Sequence, residues 1–291
     1  MMSTINVCDV TICFTRSYES NKLVIDCLES LRKQKKINFE ILFLDQNKNL
    51  ELKKYCEEIS KDGIYINYKK IKKISNSYSK NFALKIVKTK YLIFTDPDMR
   101  FDELWTYNLV KSIKNNNCIM IGGKILPLWE KKPLFISKSI FSNDIYSLYN
   151  IGNKEKFISK VFASNMLINL DLIKENDIFF DENLGRTKNS LVGREDIDFC
   201  EKISKKNFKI FYSPKAVSYH LIQKERISWK WVFKRAFSMG YMKNQRQNKK
   251  ISPINKKYKF KDIIFISPLL FFYFLGIIYF YYFKFVTICD N

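Results

Sequence analysis

Over its first hundred residues the chain alternates short apolar runs with stretches of helical period. "VTICF" (10–14) reads as a buried strand, and "SNKLVIDCLESLRKQ" after it places Leu23, Cys27, Leu28 and Leu31 at helical spacing. "FEILFLD" (39–45) follows as a strand, "NLELKKYCEEISK" as a helix, "GIYINYK" as a strand, "NSYSKNFALKIVKT" as a helix and "YLIFT" (91–95) as a strand. Such alternation predicts an α/β fold whose sheet is mixed but mostly parallel and is flanked by helices. In sheets of this kind ligands bind beyond the carboxyl ends of the strands, where strand order reverses.

Acidic residues stand at those ends. Asp45 closes the second predicted strand, and Asp96-Pro97-Asp98 follows the fourth. An Asp after a strand commonly caps a turn by bonding the next backbone N–H, and for Asp45 that reading stands level with a functional one. The Asp-Pro-Asp pair asks for more, because Pro97 sets the turn without needing two carboxylates. Neighbouring carboxylates repel unless a cation joins them, and Mg²⁺ or Mn²⁺ prefers oxygen ligands together with a substrate phosphate.

A second cluster lies a hundred residues on. In "LVGREDIDFCEKISKKNFKIFYSPKAVSYH" (191–220), Glu195, Asp196 and Asp198 enter an expected helix, and a short strand "FKIFYSP" leads to His220, the single histidine of the chain. Acids in a first helical turn suit the helix dipole. Three within four positions exceed that need, and one of them, facing a pocket, can accept a proton from a sugar hydroxyl. His220 by itself is an ordinary structural histidine unless it lies beside the Asp-Pro-Asp cation.

Composition narrows the classes. The 291 residues are 46% hydrophobic, enough for a substantial core and against a disordered chain. Seven irregularly spaced cysteines form no CxxC pair and read as reduced, buried and cytosolic. "MMSTINVCDVTICF" lacks a basic segment before its apolar run and reads as a first strand rather than a secretory signal. The formal charge of +22 admits nucleic acid, anionic lipid or an anionic substrate as partner. Compositional bias toward Lys, Asn, Ile, Phe and Tyr accounts for part of it, but "KNQRQNKKISPINKKYKFKD" (243–262) concentrates basic residues in one segment.

Taken in order, "VTICFTR", "LVIDCLESLRKQ", "FEILFLDQN", "SYSKNFAL", "YLIFTDPDM", "FFDENLG", "GREDIDFCEKI" and "YSPKAVSYH" resemble the family-two glycosyltransferases with the GT-A fold, over roughly residues 7 to 240. The resemblance implies an inverting, non-processive transferase with a nucleotide-sugar donor, a saccharide or lipid-linked acceptor and a divalent cation, Mn²⁺ or Mg²⁺. Asp96 and Asp98 correspond to the family's Asp-x-Asp, with Asp98 the direct metal ligand and His220 completing the site. Thr15, Arg16, Asp45, Lys80, Asn81 and Asp96 fall at donor-binding positions, Lys80 standing where the family has Arg. Asp196 matches the general base. Asn165 and Glu195 are candidate acceptor contacts. "FTRSYES" departs from the family's usual Pro-Thr-Tyr-Asn, and "QKERISW" puts Gln223 and Arg226 in place for a processive signature but displaces the Trp to Trp229.

Other classes fit less well. A nucleic-acid binder or a non-catalytic binder of anionic membranes explains the charge but not the ordered acids. A dinucleotide oxidoreductase lacks GxGxxG after the first strand, and a sugar nucleotidyltransferase lacks a Gly-rich phosphate loop, since "CFTRSYES" contains no glycine. No nucleic-acid partner is expected.

The expected organisation is a GT-A domain over 1–242, a basic juxtamembrane segment over 243–262, a hydrophobic helix over 263–283 and a short tail over 284–291. "ISWKWVFKRAFSMGYM" ahead of the basic segment alternates aromatic and basic residues, and packing on the domain is its default reading. From Ile263 to Phe283 no residue is charged, and at ~1.5 Å per residue the stretch spans about 31 Å, enough to cross a bilayer core or to lie along its surface. The basic segment beside it places the domain on the cytoplasmic face, anchored through its C-terminal part.

Overall fold

The structure is a computed structural model that describes residues 9–47, 51–61, 63–72, 75–131, 140–184, 193–243, 267–279 and 282. In chain order its elements are β1 (Val10–Arg16), α1 (Asn21–Arg32), β2 (Glu40–Asp45), α2 (Glu51–Lys61), β3 (Ile66–Lys70), α3 (Asn76–Ile86), β4 (Tyr91–Thr95), β5 (Met99–Phe101), α4 (Trp105–Asn116), β6 (Met120–Trp129), α5 (Ile140–Ile145), β7 (Lys156–Ile158), β8 (Asn165–Asn169), α6 (Leu170–Glu175), α7 (Glu195–Lys205), β9 (Ile210–Ile222), a 3-10 turn (Lys224–Ile227) and α8 (Trp229–Lys243). A further helix, α9, covers 267–279.

Local chemistry sets several boundaries. Ser20 and Ser75 cap α1 and α3 by accepting from the backbone N–H of Leu23 and Tyr78. Pro97 ends the run of β4, and the turn closes with the Met99 N–H on the Asp96 carbonyl.

The strands form one sheet in the order β3-β2-β1-β4-β8-β6-β9-β5, with β7 beside β9. The first four are parallel, and β8 enters antiparallel to β4. Cys13, Leu42, Leu44, Leu92 and Phe94 are buried in one cluster with Ala83 and Leu84 of α3 and Phe199, Cys200 and Ile203 of α7. Their neighbours Ile12, Phe14, Ile41, Phe43 and Ile93 are as deeply buried on the other face, as strand alternation requires for a sheet covered on both sides.

The chain divides into two compact units, one comprising residues 1–126, 149–185 and 195–220, the other 127–148, 186–194 and 221–291. All the candidate site residues belong to the first. In the second, the Arg235 guanidinium in α8 donates to the Ile145 carbonyl and the Ser147 hydroxyl, while Tyr146 stacks on Trp231. Gly240 of α8 and Gly276 of α9 allow backbone contact: a Cβ at either would overlap the carbonyl oxygen of Tyr273 or Phe237 respectively.

The short strand expected at 208–214 is a thirteen-residue strand that carries His220. Pro214 is tolerated because it falls between Ile210–Tyr212, paired with β7, and Ser218–His220, paired with β5. Of the basic segment 243–262 only Lys243 is among the described residues, at the end of α8, and the tail 284–291 lies outside them. Within 263–283, residues 267–279 and 282 are described and helical. No described helix is long and apolar enough to cross a membrane.

Candidate active site

The first strand-to-loop turn positions Arg16 and Asp45. Parallel register sets them side by side, with Arg16 Nη1 3.7 Å from Asp45 Oδ2. Arg16 also donates through Nε to the Glu19 carbonyl and through Nη2 to Asn21, while Nη1 is buried without a hydrogen-bond partner. Thr15 precedes it, half-buried. Asp45 is fully buried, accepting from the Tyr68 hydroxyl at 2.7 Å and from the Asn47 backbone N–H at 2.8 Å. Burial and the Asp45 hydrogen bond push the Tyr68 phenol well above its ordinary range.

Gln46, next along the chain, was not among the expected site residues. Its amide donates to the Ser79 hydroxyl and the Ser75 carbonyl and accepts from the Ser17 hydroxyl, tying the β1 turn, the end of β2 and the start of α3 together. A buried glutamine following a strand-end acid, with serines at 17, 75 and 79, is the only sequence signal for it.

Lys80 and Asn81 project from α3 in different roles. The Lys80 ammonium lies 2.6 Å from Asp196 Oδ1 and 3.3 Å from Glu195 Oε1, and 5.1 Å from the Phe180 ring centre. Burial alone would lower the Lys80 pKa, but Asp196, Glu195 and, more weakly, Asp96 outweigh it and hold the ammonium above the ordinary lysine value. Asn81 clamps the loop after α6: its amide nitrogen donates to the Phe180 carbonyl and to Glu182, and its oxygen accepts from the Phe180 N–H. Sequence pattern placed both residues at the donor. In the structure their polar atoms are engaged by the protein, because α3 packs directly against α7 and the 180–182 segment.

The Asp-Pro-Asp turn is braced from α1. Arg100 donates to the carbonyls of Met99 (2.7 Å) and Pro97 (3.4 Å) and reaches Asp26 at 3.2 Å, and the Cys27 thiol lies 3.7 Å from the Asp96 carbonyl. Antiparallel pairing sets Met99 opposite His220, which brings His220 Nε2 to 3.3 Å from Asp98 Oδ2. The His220 and Asp98 side chains are only 10% and 13% exposed, and a carboxylate oxygen facing an imidazole nitrogen is a donor set that suits a divalent cation. Among the described residues no cluster of three or more His, Cys, Asp or Glu side chains is arranged to hold a metal. Two of the three expected metal residues, Asp98 and His220, thus meet.

Asp196 opens α7. Its Oδ1 is held by Lys80, and its Oδ2 accepts from the Ala163 N–H at 2.9 Å. Thr95, the last residue of β4, donates to the carbonyl of adjacent Ser164. The end of β4 and the start of α7 therefore converge on one segment, 163–164. Asp198 stands apart, paired with Lys202 at 2.8 Å along the helix.

Both residues expected at the acceptor, Asn165 and Glu195, are buried. Asn165 is 0% exposed; its oxygen accepts from the Trp105 indole, and its nitrogen donates to Lys124 O, Ala216 O and the Ser218 hydroxyl. It is a polar hub joining α4, β6, β8 and β9, buried away from solvent. Glu195 is 5% exposed and serves Lys80. A cavity of about 580 Å³ lies at the opposite ends of the strands, lined by Asp9, Glu40, Tyr65, Lys88 and Asp171, and contains none of the candidate residues.

Comparison with known proteins follows the same elements. The family described as Glycosyl transferase family 2 matches residues 10–173. A teichoic acid poly(glycerol phosphate) polymerase of Staphylococcus epidermidis is 26% identical over 171 residues, 57% of this chain, and the chain spans only 23% of that protein's length. Among solved structures, S. aureus TarS 1-349 in complex with UDP-GlcNAc superposes with a TM-score of 0.52 at 19% identity, covering 89% of this chain and 71% of TarS 1-349. The mannosyltransferase PcManGT of Pyrobaculum calidifontis, in complex with GDP-Man and Mn²⁺, gives 0.60 at 15% identity, covering 92% and 73%. The fold is that of the GT-A glycosyltransferases.

Proposed function

The chain belongs to glycosyl transferase family 2, and from that premise we propose that it is an inverting, single-addition glycosyltransferase, moving one sugar from a nucleoside-diphosphate donor to a hydroxyl of a saccharide or lipid-linked acceptor. The observation that carries this reading is the seating of Asp196: its Oδ1 lies 2.6 Å from the Lys80 ammonium and its Oδ2 accepts from the Ala163 N–H, next to the Ser164 carbonyl that Thr95 at the end of β4 engages. The UDP-GlcNAc and GDP-Man complexes of the structural neighbours support a nucleotide-sugar donor.

Asp98 and His220, with Asp96 nearby, would hold a divalent cation, which the Mn²⁺ complex of PcManGT supports. When bound, such a cation supplies positive charge to the leaving diphosphate. Asp45, Arg16 and Thr15 shape the nucleoside end, with Gln46 fixing their spacing. Asp196 is the general base: each of its oxygens is anchored by one donor and retains a second lone pair. It takes the proton of the acceptor hydroxyl as that oxygen bonds to the anomeric carbon. The bond to the leaving phosphate oxygen breaks with its electron pair, and the single displacement inverts the centre. Lys80 holds the Asp196 carboxylate in place. The basic segment 243–262 and the uncharged stretch 263–283 support attachment at the cytoplasmic face of a membrane through the C-terminal part.

The test is a screen of nucleotide sugars with Mn²⁺ or Mg²⁺, reading nucleoside diphosphate release and product anomericity. Asp196→Asn should bind donor and abolish transfer, whereas Asp98→Ala should also lose cation-dependent donor binding. Full transfer by Asp196→Asn, or release of pyrophosphate, would overturn the assignment.

A further inference from the structure

The helix α9 has two unlike faces. Leu269, Tyr273 and Gly276 are buried, and the Tyr273 carbonyl sits where a Cβ on Gly240 of α8 would fall. Ring contacts pair Phe233 with Phe272 and Tyr241 with Tyr279, and Gly276 meets Phe237, so α8 and α9 run side by side in the same direction. Phe271, Phe274 and Ile278 recur at spacings of three and four, which sets them on the side of the helix opposite Tyr273, and Tyr282 continues the row. They are 60%, 39%, 63% and 65% exposed.

A row of large apolar side chains this exposed marks an interaction surface. Its surroundings specify the partner. Trp229, Lys230 and Lys234 are exposed on α8, and the sequence between α8 and α9 carries, over 243–262, eight Lys or Arg against one Asp. No charged residue interrupts 263–283. An aromatic face beside strong positive charge is complementary to an anionic bilayer: rings settle at the headgroup boundary, and cations pair with the lipid phosphates. Leu269, Tyr273 and Gly276 pack against protein, which leaves the opposite side of α9 for lipid.

We propose that α9, clamped to α8, lies in the plane of an anionic membrane and inserts the Phe271–Phe274–Ile278 face into its surface rather than crossing it. This deepens the membrane attachment proposed above and does not depend on the sugar chemistry.

The test uses the full chain with vesicles of phosphatidylcholine alone or mixed with phosphatidylglycerol. The protein should float with the mixed vesicles and weakly or not at all with the neutral ones. Phe271→Asp/Ile278→Asp should lower the bound fraction about tenfold or more while leaving nucleoside diphosphate release by the vesicle-free protein unchanged. Gly276→Leu, which breaks the clamp through backbone overlap, should reduce binding as well. Membrane-bound wild type should be released by alkaline carbonate. Retention after carbonate, undiminished binding by the double Asp variant, or a dimer in light scattering that the variant abolishes without any vesicle binding would each overturn the proposal. Loss of sugar transfer with normal flotation would count against the catalytic reading alone.

Discussion

Replacing Lys80 by Met keeps most of the side chain's length and removes its charge from between two acids. The Glu195 and Asp196 side chains are 6% and 20% exposed, so neither can recover its hydration fully. Asp196 retains one donor, the Ala163 N–H, and the two carboxylates on successive residues are left to repel each other. Removing one partner of a buried ion pair typically costs about 3–5 kcal/mol, a large share of the roughly 5–15 kcal/mol that stabilises a native protein. Lys80→Met should therefore lose about 3–5 kcal/mol in urea unfolding at neutral pH, and Lys80→Met/Glu195→Gln/Asp196→Asn should regain most of it. The pH dependence has a definite sign. Because the folded protein holds the Lys80 pKa above its ordinary value, the stabilisation is complete below the unfolded lysine value of ~10.4 and is lost as pH rises from there toward the folded value. The difference between wild type and Lys80→Met should stay level through the neutral range and shrink only in strong alkali. A loss below about 1 kcal/mol at neutral pH, the value of an exposed pair, would refute the reasoning.

Asn165→Leu strands the Trp105 indole N–H and the Lys124 and Ala216 carbonyls, and should cost about 2–4 kcal/mol by calorimetry while leaving KM for the acceptor unchanged per folded molecule. Cys13, Cys27, Cys56, Cys118 and Cys200 are buried, and burial pushes Cys27 up to about 12 and Cys118 to about 11. Peptide mapping after brief alkylation at pH 8 should find these five unmodified in the native protein and labelled after denaturation.

The parallel half of the sheet was legible because buried strands such as "YLIFT" and helices such as α1 carry one clear period each. Asp45 and the Asp-Pro-Asp acids were legible for the same reason: a strand end is marked where an apolar run stops. The antiparallel strands β5 to β8 were not located, since β5 and β7 have three residues each and β6 interrupts its apolar pattern with Gly122, Gly123 and Lys124. The roles of Asn81 and Asn165 could not be read from pattern, because a polar side chain facing a cleft and one satisfied inside the core look alike in sequence. What distinguishes them is burial and the count of hydrogen bonds. The ion pair of Lys80 with Glu195 and Asp196 joins positions more than a hundred residues apart, a separation that no local pattern carries.

Register gives Asp98 and His220 a further property. Strand β9 lies beside β6 and, on its other edge, is pinned at two points, Tyr212 against Lys156 and His220 against Met99. Side chains alternate between the faces of a strand, so losing or gaining a single residue between those two pins would turn the imidazole away from Asp98 without altering either side chain. Descendants of this sequence can exchange the exposed Lys215 more readily than its buried neighbours, but they must conserve the arithmetic of the interval.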